Sequence, residues 1–285
     1  MFDLSLLACP QCKGPLVQSA DALRCERCGK NFSMENGVPI FLPGSEQKGV
    51  ESHRGRTPAW KKLLKFLSPP HHSLYFGTLR SSVGEGRELP ELLGALREAK
   101  ILNIGSLSKD LKKLHPNIIN LDIFHYLNID VVGDAHALPF RSGSIDVVLF
   151  KNVLEHIREP AVAMMEIDRV LKVGGILYIK LPFLQPFHAV PDDYQRYTES
   201  GIQELLRGYD CLTKGISVGP GSMLAWIARE YLAIMTSFRS EHLYRIGILV
   251  WGWLTFWLKY ADILFWGNPL SGRVSSAFFG TYRKK

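Results

Sequence analysis

The chain has 285 residues, of which 46% are hydrophobic and 21% are charged, a globular composition that excludes a low-complexity or fibrous protein. This length allows one large domain with a small appendage. The formal net charge of +7 fits an acidic partner, such as a nucleic acid or an anionic membrane surface, without choosing between them. The opening residues MFDLSLLACP contain only a short apolar run and no basic leader, so no signal peptide is expected.

Four of the five cysteines stand in two pairs near the start of the chain. They follow the pattern C-x2-C-x12-C-x2-C and are Cys9, Cys12, Cys25 and Cys28. This spacing predicts a zinc ribbon over residues 1–43, in which four thiolates hold one tetrahedral Zn²⁺ ion. Because such a site has no open coordination position, the metal is expected to be structural. Two disulfides or free thiols are the alternative. The lone Cys211 is expected to be a small buried apolar residue.

Residues 44–98 are predicted to form a linker that contains one basic amphipathic helix. The stretch 44–56 is polar and rich in turn-forming residues. Over 57–67, apolar residues recur at helical spacing with lysines on the other face: Trp60, Leu63, Leu64 and Leu67 against Lys61, Lys62 and Lys65. Such a helix suits a membrane surface, and it suits packing on the next domain equally well.

Beyond residue 98, short apolar segments alternate with helical ones. The predicted strands cover 99–105, 118–123, 145–150 and 176–182. Their nearly all-apolar composition is typical of parallel strands that are buried on both faces. A helix is predicted over 159–171, ended by Gly174 and Gly175. A strand–helix–strand crossover of this kind implies a doubly wound α/β fold, with helices on both sides of a parallel sheet.

Three consecutive blocks in this region carry a family resemblance. They are GDAHALPF (133–140), SIDVVLFKNVLEH (144–156) and RVLKVGGILYIKLPF (169–183). The blocks resemble class I S-adenosylmethionine-dependent methyltransferases, in particular the branch with quinone and small-molecule methyltransferases. The resemblance covers roughly residues 99–215. It implies a mostly parallel seven-stranded sheet and S-adenosylmethionine as the cofactor, in a methyltransferase-like domain over 99–285.

The cofactor loop of that family begins with an acidic residue, two positions before a Gly-x-Gly-x-Gly run. Here Asn103 stands at the acidic position and Gly105 is retained, but Leu107 and Lys109 replace the next two glycines. A Cβ at those places takes room where the methionine end of the cofactor would lie. A non-catalytic scaffold on the same fold is therefore one alternative.

Two aspartates are predicted to read the nucleoside. Asp122 closes the second strand, where a carboxylate can accept from both ribose hydroxyls. The resemblance places Asp134 at the adenine amino group, with the backbone amide of Ala135 beside it. The alternative is that both aspartates cap ordinary turns.

The resemblance also places the loop after the fourth strand on the acceptor side, with Asn152, Glu155 and His156. This loop lacks the Asn-Pro-Pro-Tyr type of motif and contains no cysteine. Both absences argue against methylation of base amino groups or of pyrimidine C5.

A polar cluster follows the fifth strand and is predicted to form a loop over the acceptor. Ligands of open α/β sheets bind beyond the carboxyl ends of the strands. The cluster contains His188, Asp192, Asp193, Tyr194 and Arg196. His188 is the first candidate for the general base and His156 the second. Arg196 would hold an anionic acceptor or pair with one of the aspartates. A metal bound by His188, Asp192 and Asp193 is a further possibility.

The C-terminal region is predicted to contain a helical insertion over 222–267, between a sixth strand (212–218) and a seventh (274–282). Residues 246–258 are uncharged and mostly apolar, and four of the six tryptophans of the chain lie between 251 and 266. A thirteen-residue helix spans about 20 Å, less than the roughly 30 Å of a bilayer core. A helix that lies in one leaflet is therefore favoured, and a buried hairpin or an oligomer interface is the alternative.

The first 43 residues carry a second resemblance. LLACPQCKGPLV and LRCERCGKNFSMENGVPIFLP are similar to a zinc-ribbon family whose members activate tRNA and protein methyltransferases. A ribbon ahead of a methyltransferase is also seen in ribosomal RNA guanine methyltransferases.

The leading functional hypothesis is a cytoplasmic methyltransferase that binds the inner face of the membrane through 57–67 and 222–267. Its acceptor would be a lipid-linked, glycan or other envelope precursor. The alternative enzyme is an RNA methyltransferase that uses the ribbon to hold nucleic acid.

Overall fold

The computed structural model describes residues 3–19, 22–42, 82–106, 111–188, 192–265 and 267–285. The predicted linker helix at 57–67 lies outside the described residues, as do Leu107, Lys109 and Trp266.

The N-terminal ribbon is a small antiparallel sheet. A 3₁₀ turn, Leu4–Leu6, precedes β1 (Leu16–Ser19), β2 (Ala22–Cys25), β3 (Asn31–Glu35) and β4 (Val38–Pro39), which lie in sequential order. Cys9 and Cys12 lie in the turn before β1, and Cys25 and Cys28 lie at the end of β2. Two adjoining turns therefore bring the four cysteines together.

The larger domain is the doubly wound α/β fold that the sequence predicts. Its elements are α1 (Ser82–Ala95), β5 (Ile101–Ile104), β6 (Ile118–Asp122), β7 (Val131–Val132), β8 (Ile145–Lys151), α2 (Pro160–Val170), β9 (Leu171–Pro182), α3 (Glu199–Leu205), β10 (Tyr209–Val218) and β11 (Ala277–Lys284). The seven strands lie in the order β10-β11-β9-β8-β5-β6-β7. β5 to β9 are parallel, and β11 runs antiparallel to both β9 and β10. Every residue of β5 and β6 is buried, which explains why their sequences are mostly apolar.

The two glycines predicted to end the helix lie within the following strand, β9. The helix ends at Val170, and Leu171 already has extended backbone and begins β9. Gly174, at φ +76°, and Gly175 lie in a bulge of β9, because the pairing with β8 shifts between Ile145 and Val147. A Cβ on Gly175 would lie 2.3 Å from the Leu171 side chain. The prediction was wrong because a bulge and a helix stop both call for glycine.

The ribbon packs against the β7 end of the large sheet. Ile40 forms a parallel bridge with Val132, and Leu7 forms an antiparallel bridge with Phe140. Apolar ribbon side chains belong to the same buried cluster as those of the large domain; the ribbon members are Leu6, Leu7, Cys9, Leu23, Cys25, Phe32 and Phe41. The ribbon and the large domain therefore share one hydrophobic core.

A helical insertion joins β10 to β11 at the opposite end of the sheet. It comprises α4 (Pro220–Met235), α5 (Glu241–Thr255) and two 3₁₀ segments, Phe256–Phe265 and Pro269–Val274. The stretch Glu241–Phe265 is long and apolar enough, by length and composition alone, to cross a membrane, and 22% of its most apolar window is buried.

In this insertion apolar side chains are exposed and charged side chains are buried, the reverse of an ordinary surface helix. Within 246–265, every exposed side chain is apolar: Ile246, Val250, Trp253, Leu254, Trp257, Ile263, Leu264 and Phe265. The charged residues of this stretch, Lys259 and Asp262, are buried. Asp262 accepts hydrogen bonds from the backbone of Gly221 (2.5 Å) and the hydroxyl of Ser222 (2.8 Å), and so caps the N-terminus of α4.

Candidate functional site

The strand order reverses between β5 and β8, where open α/β sheets form a ligand crevice at the carboxyl ends of the strands. Gly105 follows β5 there with φ +68°, a conformation that favours glycine. A Cβ on Gly105 would lie 2.3 Å from the Val153 side chain. The backbone therefore requires this glycine, and the crevice begins directly beside it.

Two buried polar atoms lie at this crevice without a hydrogen-bond partner among the described residues. They are Ser106 Oγ, after β5, and Asn152 Oδ1, after β8. Asn152 also has a positive φ of 52°. Buried polar atoms are nearly always satisfied in folded proteins. Their position at the carboxyl ends of adjacent strands fits a site for the polar part of a cofactor.

The predicted nucleoside contacts surround the same edge of the sheet. Asp122 ends β6, is buried, and accepts from the backbone N–H of Phe124 at 3.0 Å. Asp134 caps the 3₁₀ turn Ala135–Ala137 and accepts from the backbone and ring of His136 at 2.9 and 2.7 Å. Both aspartates therefore accept hydrogen bonds within turns, as the alternative interpretation of these residues as turn caps predicts.

Asn103, at the acidic position of the cofactor loop, lies within the sheet. It is buried, and its amide donates to Asn120 Oδ1 at 2.9 Å. This side chain links β5 to β6, which gives it a structural role that its position in the sequence did not indicate.

Glu155 is the centre of the acceptor side. It lies in the 3₁₀ turn Leu154–His156, is completely buried, and neither carboxylate oxygen has a hydrogen-bond partner among the described residues. The Nε2 atoms of His156 and His188 approach Glu155 Oε1 to 3.8 and 3.7 Å, too far for direct hydrogen bonds. The structure thus brings together both histidines and one of the predicted acceptor residues.

The loop after β9 is tied down onto the loop after β8. Gln195 Nε2 donates to the carbonyls of Leu154 and Ile157 at 3.0 and 2.9 Å. The backbone N–H of Tyr194 donates to the Glu155 carbonyl at 2.8 Å. These contacts hold His188 and Glu155 in one place although they lie far apart in the sequence.

Arg196 pairs with Asp193, which is the second of the two roles predicted for this arginine. The guanidinium donates to both Asp193 oxygens, to Oδ2 at 2.6 Å. Burial alone would raise the pKa of Asp193, but Arg196 and the His188 amide outweigh it and lower this pKa to about 2. Asp193 is therefore committed to the arginine and is not free to bind a metal with His188. Asp192 lies at the surface and accepts from the Tyr194 hydroxyl at 3.0 Å.

His188 is placed in an environment that favours its charged form. Burial lowers the pKa of His188, but Glu155, the Pro186 carbonyl and Asp193 together raise it above the ordinary value. The ring lies 5.9 Å from that of Trp226 in α4 and 5.3 Å from that of His156.

Sequence reasoning missed two neighbours of this cluster. Trp226, which lies in the predicted helical insertion, is buried beside His188, because α4 packs its inner face on the loop after β9. The hydroxyl of Tyr197 is buried without a partner in the described chain, and burial together with the Glu155 charge raises its pKa to about 12. The tyrosine was visible in the polar cluster, but nothing in its spacing set it apart.

The four ribbon cysteines converge as the spacing predicts. The Sγ atoms of Cys9 and Cys28 lie 3.7 Å apart and those of Cys12 and Cys25 lie 3.4 Å apart, all as free thiols. With Zn–S bonds of about 2.3 Å, two sulfurs on one ion lie about 3.8 Å apart, so the cluster fits a zinc ion. Backbone amides of Cys28 and Arg27 lower the pKa of the Cys25 thiol to about 6, whereas burial raises the pKa of the Cys9 thiol to about 12. Cys211 is exposed on β10, against the expectation that it is buried.

A cavity of about 470 Å³ lies between the sheet and the root of the insertion. Its wall is largely apolar and includes Leu181, Ile216, Phe265 and Phe278. The cavity extends from β9 to β11, on the side of the sheet where the insertion leaves it.

Comparison with known families agrees with this architecture. Residues 82–179 match the methyltransferase domain family, and residues 4–37 match the Trm112p-like protein family. The chain therefore carries a methyltransferase domain joined to a Trm112p-like ribbon, and both predicted resemblances are confirmed.

Similar proteins include a ubiquinone/menaquinone biosynthesis C-methyltransferase, UbiE, of a Ruegeria species, 33% identical over 39% of this chain and 38% of its own. An uncharacterized methyltransferase of Schizosaccharomyces pombe is 26% identical over 52% of this chain and 55% of its own. The chain thus spans about half the length of these relatives, or less. The structure of a Burkholderia thailandensis 1,6-didemethyltoxoflavin-N1-methyltransferase with bound S-adenosylhomocysteine is 13% identical, with a TM-score of 0.46, over 93% of this chain and 100% of its own. The family matches support S-adenosylmethionine-dependent methyl transfer.

Proposed function

We propose that this protein is an S-adenosylmethionine-dependent methyltransferase that works at a membrane surface on a lipid-linked, glycan or other envelope precursor. The contact between Trp226 and His188 carries this proposal. It makes α4 a wall of the acceptor site, and α4 belongs to the insertion whose outer face is apolar. An acceptor held at a membrane would therefore reach the site along the insertion.

The cofactor would be held along the crevice between β5 and β8. Gly105 forms the turn after β5, Ser106 and Asn152 offer polar atoms without a hydrogen-bond partner among the described residues, and Asp122 and Asp134 lie where the nucleoside would be bound. The bound cofactor supplies an electrophilic methyl group. The chain's own residues orient the acceptor and exclude water. His188 and His156 lie beside Glu155, and either ring, when it is neutral and Nε2 is not bound to another group, can accept a proton from an acceptor hydroxyl.

The membrane side of the proposal depends on how polarity is distributed in the insertion. Between residues 246 and 265 all its exposed side chains are apolar, whereas Lys259 and Asp262 are buried. Large exposed apolar faces mark contact with a membrane or another protein. Exposed charges lie instead at the α4–α5 turn, at Arg239, Glu241, His242 and Arg245. We place the protein on the inner face of the membrane, in one leaflet, with the cavity of about 470 Å³ at the root of the insertion available to an apolar chain of the acceptor.

The four ribbon thiols would bind one structural Zn²⁺ ion. They leave no open coordination position, so the ion would stabilise the fold and take no part in methyl transfer.

Methylation of RNA is the second candidate. The Trm112p-like match and the net charge of +7 favour it. The apolar face of the insertion favours the membrane.

Cofactor binding is tested first, by titration calorimetry with S-adenosylmethionine. We expect the wild-type chain to bind it, and the Asp122→Ala variant to bind it more weakly by about 1–3 kcal/mol, the cost of losing charge-assisted hydrogen bonds. A wild-type chain that binds none would leave the scaffold alternative standing.

Membrane binding is tested by sedimentation with anionic and neutral liposomes. The full chain should sediment with both and prefer the anionic ones, and added salt should remove only the preference. A variant in which a short loop replaces 222–267 should stay in the supernatant and still bind cofactor. If the full chain ignores liposomes and remains monomeric without detergent, the insertion is a packed subdomain and RNA becomes the acceptor to test.

A further inference from the structure

We propose that Glu155, His156 and His188 bind a divalent first-row transition metal ion at the acceptor site. Only the role of this site, contact with the acceptor, rests on the proposed function. The site itself is defined by the geometry of three side chains. This ion would be separate from the zinc of the ribbon, which has its own four ligands at the other end of the sheet.

The positions of the two ring nitrogens in each histidine support this assignment. His156 Nδ1 lies 2.5 Å from the Asp192 carbonyl oxygen. A carbonyl can only accept a hydrogen bond, so Nδ1 carries the proton. In the neutral ring, Nε2 then has the lone pair, and it points toward Glu155.

His188 has the same arrangement. Its Nδ1 lies 3.2 Å from the Pro186 carbonyl oxygen and 3.3 Å from Arg196 Nη2. The two protons on Arg196 Nη2 are taken by Asp193 and by the same carbonyl, so that nitrogen has none left for the ring. His188 Nδ1 is therefore also the donor, and its Nε2 also faces Glu155. Backbone carbonyls that orient histidines in this way are the usual second layer of a metal site.

With both rings neutral, two lone pairs and the carboxylate face one another and repel, and either a proton on one ring or a metal ion between the three groups removes this repulsion. Glu155 is completely buried, and neither oxygen has a partner in the described part of the chain. An unpaired buried carboxylate is costly, so its environment must supply a cation or a proton.

The separations of both histidine nitrogens from Glu155 Oε1 fit one metal ion. The ligand atoms of the three residues all lie within 4.8 Å of one another, and the contacts to Glu155 Oε1 measure 3.7 and 3.8 Å. With bonds of about 2.1 Å, two ligands on one ion lie between about 3.0 and 4.2 Å apart. Two imidazoles and one carboxylate favour a first-row transition metal and leave positions open. The histidine side chains are 16% and 20% exposed, so these positions can receive an oxygen ligand of the acceptor.

The test is a titration of the full, zinc-loaded chain with Mn²⁺, followed by electron paramagnetic resonance. Mn²⁺ prefers oxygen and nitrogen ligands over thiolates, so the ribbon does not compete for it. We expect the wild type to bind one equivalent. The Glu155→Gln and His188→Ala variants should bind it at least about tenfold more weakly, as expected when a ligand or its support is lost. The His242→Ala variant removes an exposed histidine far from this cluster and should bind as the wild type does.

Glu155→Gln preserves shape, and thermal melting of both variants shows whether they fold. A wild type that binds no Mn²⁺ at about millimolar concentration, or folded variants that bind it as well as the wild type, would overturn the proposal. Mn²⁺ binding is read without cofactor or acceptor. A chain that holds Mn²⁺ here but fails to bind S-adenosylmethionine would refute the proposed function and leave the metal site in place.

Discussion

The ribbon and the insertion are two appendages at opposite ends of one sheet, and they use their side chains in opposite ways. The ribbon turns its apolar residues inward, where Leu7, Cys25 and Phe41 join the core of the large domain. The insertion turns polar groups inward, with Asp262 on the end of α4 and Arg229 paired with Glu230, and exposes its apolar residues.

This difference indicates what each appendage is for. A module that shares the core contributes to the stability of the whole domain, because the same apolar contacts hold both parts. A module that satisfies its own polar groups internally and exposes apolar side chains is suited to an apolar environment outside the protein. We therefore expect damage to the ribbon to unfold the domain, and damage to the outer face of the insertion to change binding alone.

The largest effect is expected from Cys25→Ser. It removes one of four ligands from a site whose metal contributes about 10–16 kcal/mol in isolated zinc-binding peptides. Because the ribbon shares the core, the melting transition of the entire domain should fall or disappear, as followed by circular dichroism. Cys211→Ser, on the exposed face of β10, is the control and should melt as the wild type does. A Cys25→Ser domain with unchanged melting would show that the ribbon is independent.

The next effect concerns the outer face of the insertion. Leu264 is 81% exposed there, and burying a leucine in an apolar medium is worth about 1.5–3 kcal/mol. Leu264→Glu should therefore weaken liposome binding about tenfold or more in a sedimentation assay, with an unchanged melting temperature. Val173→Glu changes a residue of similar exposure (80%) in β9, outside the insertion, and should have no effect. Equal losses in both variants would contradict a membrane face on the insertion.

A smaller effect is expected inside the insertion. Asp262→Ala removes the cap of α4, and such caps contribute about 0.5–2 kcal/mol. The variant should unfold at lower denaturant concentration, while its liposome binding changes little. If the variant is as stable as the wild type, the inward-facing polar contacts do not hold the insertion on the sheet.

The smallest effect is expected for Lys13→Ala. Lys13 pairs with Glu166 at 2.8 Å across the boundary between the ribbon and the large domain, but its side chain is 32% exposed. Partly exposed ion pairs contribute about 0–1 kcal/mol, so the change in denaturation midpoint should be barely measurable. A loss as large as that of Cys25→Ser would mean that charge, rather than shared apolar contacts, joins the ribbon to the domain.

Local sequence patterns were sufficient for the strands and for the clustering of the four cysteines. The mostly apolar segments Ile101–Ile104 and Ile118–Asp122 are buried strands as predicted, and the spacing of the thiols predicted their convergence without knowledge of the rest of the fold. Local sequence patterns could not predict that Gly174 and Gly175 lie in a bulge of β9, because a bulge depends on the register with a neighbouring strand.

The acceptor side was predicted only as separate pieces. His188 and Glu155 are 33 positions apart in sequence, and their contact depends on Gln195, which ties two loops together through backbone carbonyls. Trp226 reaches the cluster only because α4 folds back over the loop. Likewise, Cys211 lies on the outer strand β10, where residues 210–214 are all exposed whatever their polarity.

The bridge between Ile40 and Val132 affects how the protein would unfold and aggregate. β7 is only two residues long and ends the seven-stranded sheet, and the Phe41 amide donates to the Val132 carbonyl at 2.9 Å. The ribbon thereby occupies backbone groups that would otherwise be open to another chain. The opposite end of the sheet is β10, which carries two register shifts and Lys214, both features that discourage pairing between molecules. Disruption of the ribbon, for example by loss of the zinc ion proposed for it, would thus expose an apolar strand edge and lead to aggregation before complete unfolding.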